Sequence, residues 1–238
     1  MKITDTSDLW FKSAIFYCLD VETFMDWNND GVGDFAGLAH RIDYLAELGV
    51  TCIWLMPFYP TPDRDDGYDI TDFYGVDPRL GHLGDLVEVI RIAKDRGMRV
   101  IADLVVNHTS DKHPWFVSAR SSRDSHYRDY YVWRDEKPAE TSAPVFPDQE
   151  TSLWELDEKT GQYFQHVFYK YQPDLNITNP VVRDEMANGP RRRRVGLRPE
   201  GRQPARAHSI IQTVDGTPVG EVTSGGFGPS ANAPVAMG

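Results

Sequence analysis

Apolar runs and amphipathic stretches alternate between residues 14 and 109. Three apolar runs, rich in β-branched and aromatic side chains, predict strands at 14–21, 50–58 and 98–106. The run at 50–58 is apolar at almost every position, which is typical of a parallel strand that is covered on both faces. This part of the chain therefore predicts a buried sheet.

The stretches between these runs have the period of amphipathic helices. In each, apolar side chains recur every three or four residues, and Gly49 and Gly97 mark the ends. The order strand, helix, strand, helix, strand predicts an α/β fold with a parallel sheet and right-handed crossovers. The apolar positions are Leu38, Ile42, Leu45 and Leu48 in the first stretch, and Leu86, Val89, Ile90 and Ala93 in the second.

The pattern changes after Thr109. A segment rich in Trp, Tyr, Asp and Pro predicts an irregular inserted domain, and a short helix follows with Asn179 as its N-cap and Pro180 in its first turn. Four consecutive arginines then open a segment without periodicity, and the last residues resemble a β-hairpin that turns at Asp215 and Gly216. The predicted divisions are 1–109 and 173–188 for the α/β part, 110–172 for the inserted domain, 189–206 for an unstructured seam and 207–238 for the β-rich tail.

Composition narrows the function classes. The 238 residues have a formal net charge of −11, which disfavours nucleic acid and anionic membranes as partners, although seven arginines at 191–206 leave a local basic patch as an alternative. The N-terminus has no apolar signal-peptide core, and no apolar run approaches the ~20 residues of a membrane span. Cys18 and Cys52 lie in apolar runs, so we expect two buried thiols and a cytoplasmic protein.

One loop has the spacing of a calcium site. The sequence DWNNDGVGD places oxygen-bearing side chains at alternate positions, with glycines between them that permit a tight loop. An EF-hand is excluded because its twelfth position would be Gly37 rather than glutamate. A shorter loop could bind one ion through side chains and a backbone carbonyl, or the segment could be a solvated turn. The candidate ligands are Asp26, Asn28, Asp30, Val32 and Asp34.

Polar residues also follow two of the predicted strands. Asn107 and His108 come at the end of the third strand, and Asp65, Tyr68 and Asp69 follow the second. Ligand sites of parallel α/β folds lie at the carboxyl ends of the strands. Carboxylates beside aromatic rings are typical of a sugar site. The alternatives are a structural histidine and a polar loop with a packed tyrosine.

These motifs carry a family resemblance. Residues 1–188 resemble the N-terminal part of an α-amylase superfamily enzyme, and more narrowly trehalose synthase (maltose α-D-glucosyltransferase) and its oligo-1,6-glucosidase relatives. The resemblance implies the first three strands of a (β/α)8 TIM barrel, an irregular domain inserted after the third strand, and retaining chemistry on α-glucosides such as maltose and trehalose. The motifs are MDWNNDGVGDFAGL, LGVTCIWLMPFYPTPDRDDGYDITDF, DLVVNHTSDKHPWF, YRDYYVWRD and QPDLNITNP.

The resemblance also implies roles for individual residues. The sugar-contacting positions would be Asp65, Tyr68, His108 and Gln172, and Asp103 would support them from the end of a strand. The loop of Asp26, Asn28, Asp30, Val32 and Asp34 corresponds to the family's calcium loop, and Asn107 and Asp174 resemble part of a second calcium site.

The family's reacting carboxylates are not found in this sequence. Retaining glycosidases need a nucleophile and an acid/base about 5 Å apart. In this superfamily they follow the fourth and fifth strands, the first of them in a GFRxD pattern. Glu200 in VGLRPEG stands one residue late for that pattern and has no apolar strand around it. We therefore identify no catalytic residue.

The tail resembles a different family. Residues 207–238 are similar to a C-terminal segment of aminomethyltransferase, the T-protein of the glycine cleavage system, on the stretch VDGTPVGEVTSGGFGPS. The whole chain is therefore interpreted as a truncated or chimeric α-glucoside enzyme that is inactive alone. The alternatives are a non-catalytic carbohydrate- or calcium-binding protein and, from the tail, an aminomethyltransferase. The sequence does not determine the oligomeric state.

Overall fold

The computed structural model describes residues 9–189, 196, 197, 199, 205–228 and 233–237. The chain forms two compact units, which divide between Arg183 and Asp184. None of the described helices is long and apolar enough to cross a membrane.

A three-stranded parallel sheet organises the first unit. Its strands are β1 (Phe16–Leu19), β2 (Cys52–Leu55) and β3 (Arg99–Ala102), hydrogen-bonded in that order with Phe16 opposite Cys52 and Cys52 opposite Arg99. The predicted parallel order is confirmed. Each strand has four residues, fewer than predicted, because the apolar runs continue into the loops beyond the sheet.

The helices that connect these strands begin and end close to the predicted positions. A single helical turn, α1 (Val21–Phe24), follows β1, α2 (Phe35–Glu47) precedes β2 and α3 (Leu83–Asp95) precedes β3. The side chain of Asp34 caps α2 by accepting a hydrogen bond from the Gly37 N–H at 2.6 Å.

Two predicted helical positions are wrong. Leu48 follows the last residue of α2 and is 57% exposed, and Ile90 lies on the solvent side of α3 and is 44% exposed. The buried stripe of α3 runs through Val89 and Ala93, with Leu86 and Ile92 packed against the core. The other predicted positions of α2, Leu38, Ile42 and Leu45, are fully buried, so the apolar spacing identified the buried side of both helices apart from these two residues.

The prediction of a sheet covered on both faces is also wrong. Leu19, Ile53 and Leu55 are buried in the core that the helices cover. On the opposite face, Phe16 is 43% exposed and Trp54 is 40% exposed. Cys18 shares this face and is exposed, in contrast to the two buried thiols that the sequence predicted, whereas Cys52 is buried. Three strands are too few to curve around and cover their own inner face.

The segment predicted as an irregular insertion contains a small antiparallel sheet. Its strands are β4 (Trp133–Arg134), β5 (Trp154–Asp157) and β6 (Gln162–Gln165), in the order β4-β6-β5. The helix α4 (Pro114–Ala119) buries Phe116. The ring of Phe116 is stacked on that of Trp133 and meets the rings of Tyr131 and Phe164 edge-on. Aromatic packing therefore gives this part a core of its own. Two 3-10 helices, Trp10–Ser13 and Arg128–Tyr130, complete the unit.

His113 caps α4 and is buried. Its Nδ1 accepts a hydrogen bond from the Trp115 N–H at 3.1 Å, and burial lowers the pKa of its imidazole from 6.5 to about 4. Between these pH values the unfolded chain takes up a proton that the folded chain does not bind. Stability from this group is therefore present above pH 6.5 and falls as the pH drops to about 4.

We predict that His113→Asn flattens the dependence of unfolding free energy on pH. Asparagine can still accept the Trp115 N–H but does not titrate. A pKa difference of this size corresponds to about 3 kcal/mol. Urea unfolding at pH 7 and at pH 4 measures the loss in each protein. Equal losses in the variant and the original chain would contradict the prediction.

The helix α5 (Pro180–Asn188) is capped as predicted. The side chain of Asn179 accepts a hydrogen bond from the Val181 N–H at 2.9 Å. Gly189 follows the helix with a φ of 69°, a left-handed conformation that glycine adopts without strain.

The second unit is built of antiparallel strands. The strands β8 (Ile210–Gln212) and β9 (Pro218–Glu221) pair across a turn in which the Gly216 N–H donates to the Thr213 carbonyl, so the predicted turn is confirmed. A second sheet has the order β10-β11-β7 and contains β7 (Gly196–Leu197), β10 (Ser224–Gly228) and β11 (Ala233–Met237).

The seam predicted at 189–206 needs a correction. Gly196 and Leu197 are a strand that pairs with Met237 and Ala236 of β11, so these two residues are not unstructured. The sequence did not predict this pairing because its partner lies about forty residues further along the chain. Most of the arginine-rich seam, including Glu200, lies outside the described residues.

Candidate functional site

Asp103 lies directly after β3, beside the end of β2. Both of its carboxylate oxygens accept hydrogen bonds, Oδ1 from Trp54 Nε1 at 2.5 Å and Oδ2 from the Tyr68 hydroxyl at 2.8 Å. Burial and the bond to Asp103 raise the pKa of Tyr68, so this phenol stays neutral and donates. Asp103 thus links Trp54 of β2 to Tyr68 in the loop that follows β2.

Asp65 and Gln172 meet although 107 residues separate them. The Nε2 of Gln172 donates to Oδ2 of Asp65 at 2.7 Å, and its Oε1 accepts from the Tyr169 N–H at 3.3 Å. Gln172 is fully buried. Burial raises the pKa of Asp65, while the bond from Gln172 acts in the opposite direction. Within the described part of the chain, Gln172 is the side chain that donates to this carboxylate, which retains acceptor capacity for a further donor.

His108 connects these groups through the backbone. Its Nε2 lies 3.2 Å from the carbonyl oxygen of Tyr68, and its Nδ1 lies 3.3 Å from the side-chain nitrogen of Asn107. Burial lowers the pKa of the ring to about 4, so it is neutral at neutral pH. A carbonyl only accepts, so Nε2 carries the proton and Nδ1 is the acceptor.

The sugar-contacting residues predicted from the sequence thus lie in one hydrogen-bonded network. The Tyr68 N–H completes it by donating to the Asp65 carbonyl at 2.8 Å. The contribution of Trp54 was missed because an indole N–H inside an apolar run has no sequence signal. The arrangement offers oxygens, amide groups and rings to a neutral polar ligand. His108 is buried with both nitrogens engaged, so it is poorly placed to exchange protons.

In the loop that the sequence predicts to bind calcium, the side-chain oxygens accept hydrogen bonds from the loop backbone. Asp26 accepts from the N–H groups of Asn29 and Gly31, and Asp30 accepts from Val32. Asp34 accepts from three N–H groups, two in this loop and one in α2. Among the residues that the structure describes, no three Asp, Glu, His or Cys side chains are grouped as metal ligands. The oxygen donors suit a hard cation chemically, and a cation would replace the N–H groups.

The second predicted calcium pair, Asn107 and Asp174, is in direct contact. The Asn107 amide donates to Oδ1 of Asp174 at 3.0 Å, and the Val167 N–H donates to the same oxygen at 3.3 Å. Burial raises the pKa of Asp174 to about 7. Among the described residues no cationic side chain pairs with this buried carboxylate, and a bound cation would favour its ionised form.

Known proteins match both parts of the chain. The family model of the alpha amylase catalytic domain matches residues 21–193, and that of the glycine cleavage T-protein C-terminal barrel domain matches residues 192–238. The second match begins before residue 207, in agreement with the pairing of Gly196–Leu197 with β11.

Individual relatives agree with the first match. Trehalose synthase/amylase TreS of Mycobacterium tuberculosis is 49% identical over 178 residues, which are 74% of this chain and 30% of that protein. Oligo-1,6-glucosidase of Heyndrickxia coagulans is 46% identical over 178 residues, 74% of this chain and 32% of that protein. This chain thus spans about a third of the length of these relatives.

Solved structures show the same likeness. An inactive double mutant of MutB in complex with isomaltulose superposes with a TM-score of 0.70 at 45% identity, over 74% of this chain and 32% of that one. Other MutB structures contain glucose or the substrate sucrose. Since the family model covers residues 21–193, most of the sequence, this chain belongs to the alpha-amylase catalytic domain family.

Proposed function

We propose that this chain carries the glucose-recognising part of an α-glucoside site of the trehalose synthase and oligo-1,6-glucosidase type. The observation that carries the proposal is the single hydrogen-bonded network of Asp65, Tyr68, Asp103, His108 and Gln172 at the ends of β2 and β3. In this proposal Asp65 accepts hydrogen bonds from glucose hydroxyls, and the ring of Tyr68 packs against the sugar.

The same proposal assigns the sheet to a (β/α)8 barrel. Strands β1, β2 and β3 would be its first three strands, and the segment with β4, β5 and β6 its inserted domain. The half-exposed Phe16 and Trp54 support this assignment, since residues on this face would point into the interior of a closed barrel. The TM-score of 0.70 to MutB also supports it.

We further propose that these 238 residues bind an α-glucoside without converting it. Retaining interconversion of maltose and trehalose needs two reacting carboxylates, and no GFRxD pattern occurs in the sequence. Asp65 and Asp103 already have hydrogen-bonding roles within the network. Maltose incubated with the purified chain should yield neither trehalose nor glucose above background, and turnover would overturn this point.

Binding of maltose tests the site itself. We predict that the chain binds maltose and that Asp65→Ala weakens binding by tenfold to a hundredfold, because a charged hydrogen-bond acceptor contributes about 1.5–3 kcal/mol. Titration calorimetry measures the affinity. Asp95→Ala is the matched control, since Asp95 lies at the exposed end of α3 and pairs with Arg91. Absence of maltose binding by the original chain, or equal weakening by both variants, would reject the proposed site.

Calcium is part of the proposal. We predict that millimolar calcium raises the melting temperature by a few degrees, because a ligand that binds only the folded chain stabilises it by about 2–3 kcal/mol at a hundredfold excess over Kd. Asp26→Asn should remove most of this shift, since it removes one loop carboxylate. If calcium does not change the melting temperature, or changes it equally in the variant, the calcium site is rejected and the loop is a solvated turn.

A further inference from the structure

Arg64 joins three parts of the first unit. Its Nε donates to Oδ2 of Asp69 at 2.9 Å, and its Nη2 donates to Oδ1 of Asp111 at 2.6 Å and to the Ser110 hydroxyl at 3.0 Å. The Cζ atom of the same guanidinium lies over the ring of Tyr171, 4.3 Å from its centroid. One side chain thus connects the loop after β2, the segment after β3 and the segment after β6.

Tyr171 contacts both the loop after β2 and the segment after β3. Its hydroxyl donates to the backbone carbonyl of Arg64 at 3.2 Å, and its carbonyl accepts from the Asp111 N–H at 2.8 Å. Its ring continues a column of stacked rings formed with Tyr169 and Phe146, with centroids 5.0 and 4.8 Å apart. Arg64 and Tyr171 are therefore held together by side-chain stacking and by a backbone contact.

The residues that follow them in the sequence are the two partners of the candidate site. Asp65 follows Arg64, Gln172 follows Tyr171, and their side chains meet at 2.7 Å. We propose that Arg64 is a positioning residue that sets the Asp65–Gln172 pair in the geometry that recognises glucose. The inference rests on the proposed function for its ligand, but the placement of the pair is independent of any sugar.

The contacts require an arginine. Asp69 is fully buried, so removing the group that pairs with it would be strongly destabilising. The same cation must also reach Asp111 and lie over the ring of Tyr171. A planar guanidinium does all three at once, whereas a lysine ammonium is a point charge without a stacking face. Arg64→Lys therefore keeps the positive charge but loses the planar group that contacts Asp69, Asp111 and Tyr171 together.

The first test follows the pair without sugar. In nuclear magnetic resonance spectra of the full chain, the side-chain amide of Gln172 should exchange slowly because it is buried and bonded to Asp65. Arg64→Lys should speed its exchange at least tenfold and shift its resonances, while the melting temperature changes by only a few degrees. Arg91→Lys is the control, since Arg91 pairs with Glu88 and Asp95 on the exposed side of α3. Unchanged Gln172 resonances in folded Arg64→Lys would overturn the inference.

A second variant covers the case in which Arg64→Lys does not fold. Tyr171→Leu removes the stacking ring and the bond to the Arg64 carbonyl but leaves the pairing of Arg64 with Asp69 and Asp111. It should speed exchange of the Gln172 amide in the same way. A Gln172 amide that stays protected in this variant would also overturn the inference.

The second test adds maltose. Arg64→Lys should weaken maltose binding at least tenfold, whereas Arg91→Lys should leave it unchanged. Full-strength binding by Arg64→Lys would overturn the inference. If the original chain binds no maltose, the proposed function fails, while the Gln172 resonances still decide whether Arg64 positions the pair.

Discussion

Replacing Gly37 by alanine will destabilise the chain by at least ~3 kcal/mol, although alanine is the better helix former. Gly37 is the third residue of α2 and is buried. A Cβ atom there would lie 2.1 Å from the carbonyl oxygen of Met25 and 2.9 Å from its carbonyl carbon. That oxygen accepts the hydrogen bond of the Asp34 N–H, so a backbone shift would also disturb the cap of α2. Urea unfolding measures the loss.

Gly84 supplies the matched control. It is the second residue of α3, and the nearest atoms to an added Cβ belong to the exposed side chain of His82, at 3.2 Å and beyond. Gly84→Ala should be neutral or stabilising by up to about 1 kcal/mol, as expected for glycine in a helix. Similar losses in both variants would show that the backbone contact at Met25 does not decide the effect.

Phe116→Ala will destabilise the first unit by about 4 kcal/mol. The ring of Phe116 is fully buried, is parallel to that of Trp133, and meets the edges of Tyr131 and Phe164. Truncation removes a large apolar surface and leaves a cavity that α4 and β6 cannot both close. Thermal and urea unfolding measure the loss.

Phe11→Ala is the control for this substitution, because Phe11 is 50% exposed. It should change the free energy of unfolding by less than about 1 kcal/mol. The loss of unfolding free energy in Phe116→Leu should lie between those of Phe116→Ala and Phe11→Ala, since leucine fills part of the space of the phenylalanine ring. Equal effects of Phe116→Ala and Phe11→Ala would mean that the aromatic cluster is not a structural core.

Much of the candidate site was predictable from motifs. Polar residues at strand ends and the family pattern together indicate Asp65, Tyr68, His108, Gln172 and Asp103. Their partners were not predictable in the same way. The bond from Trp54 to Asp103 joins residues 49 positions apart, and no local pattern distinguishes an indole that donates a hydrogen bond from one that only packs.

The loop predicted to bind calcium shows what residue spacing does not predict. The alternate spacing of Asp26, Asn28 and Asp30 predicts a tight loop that could bind a cation. Spacing did not predict that the side chains bond to the N–H groups of the same loop. Competition between these N–H groups and a cation depends on local geometry, which residue types alone do not encode.

The sequence by itself determined the order of strands and helices between residues 14 and 109, the helix ends at Gly49 and Gly97, and the family of the first unit. These properties depend on local periodicity, turn residues and short motifs, which are present in any window of the chain. Only the tertiary structure decided which face of the sheet is covered, that Gly196–Leu197 pair with β11, and that Gln172 donates a hydrogen bond to Asp65. Each of these depends on contacts between residues far apart in the chain, and such contacts follow from packing rather than from local preference.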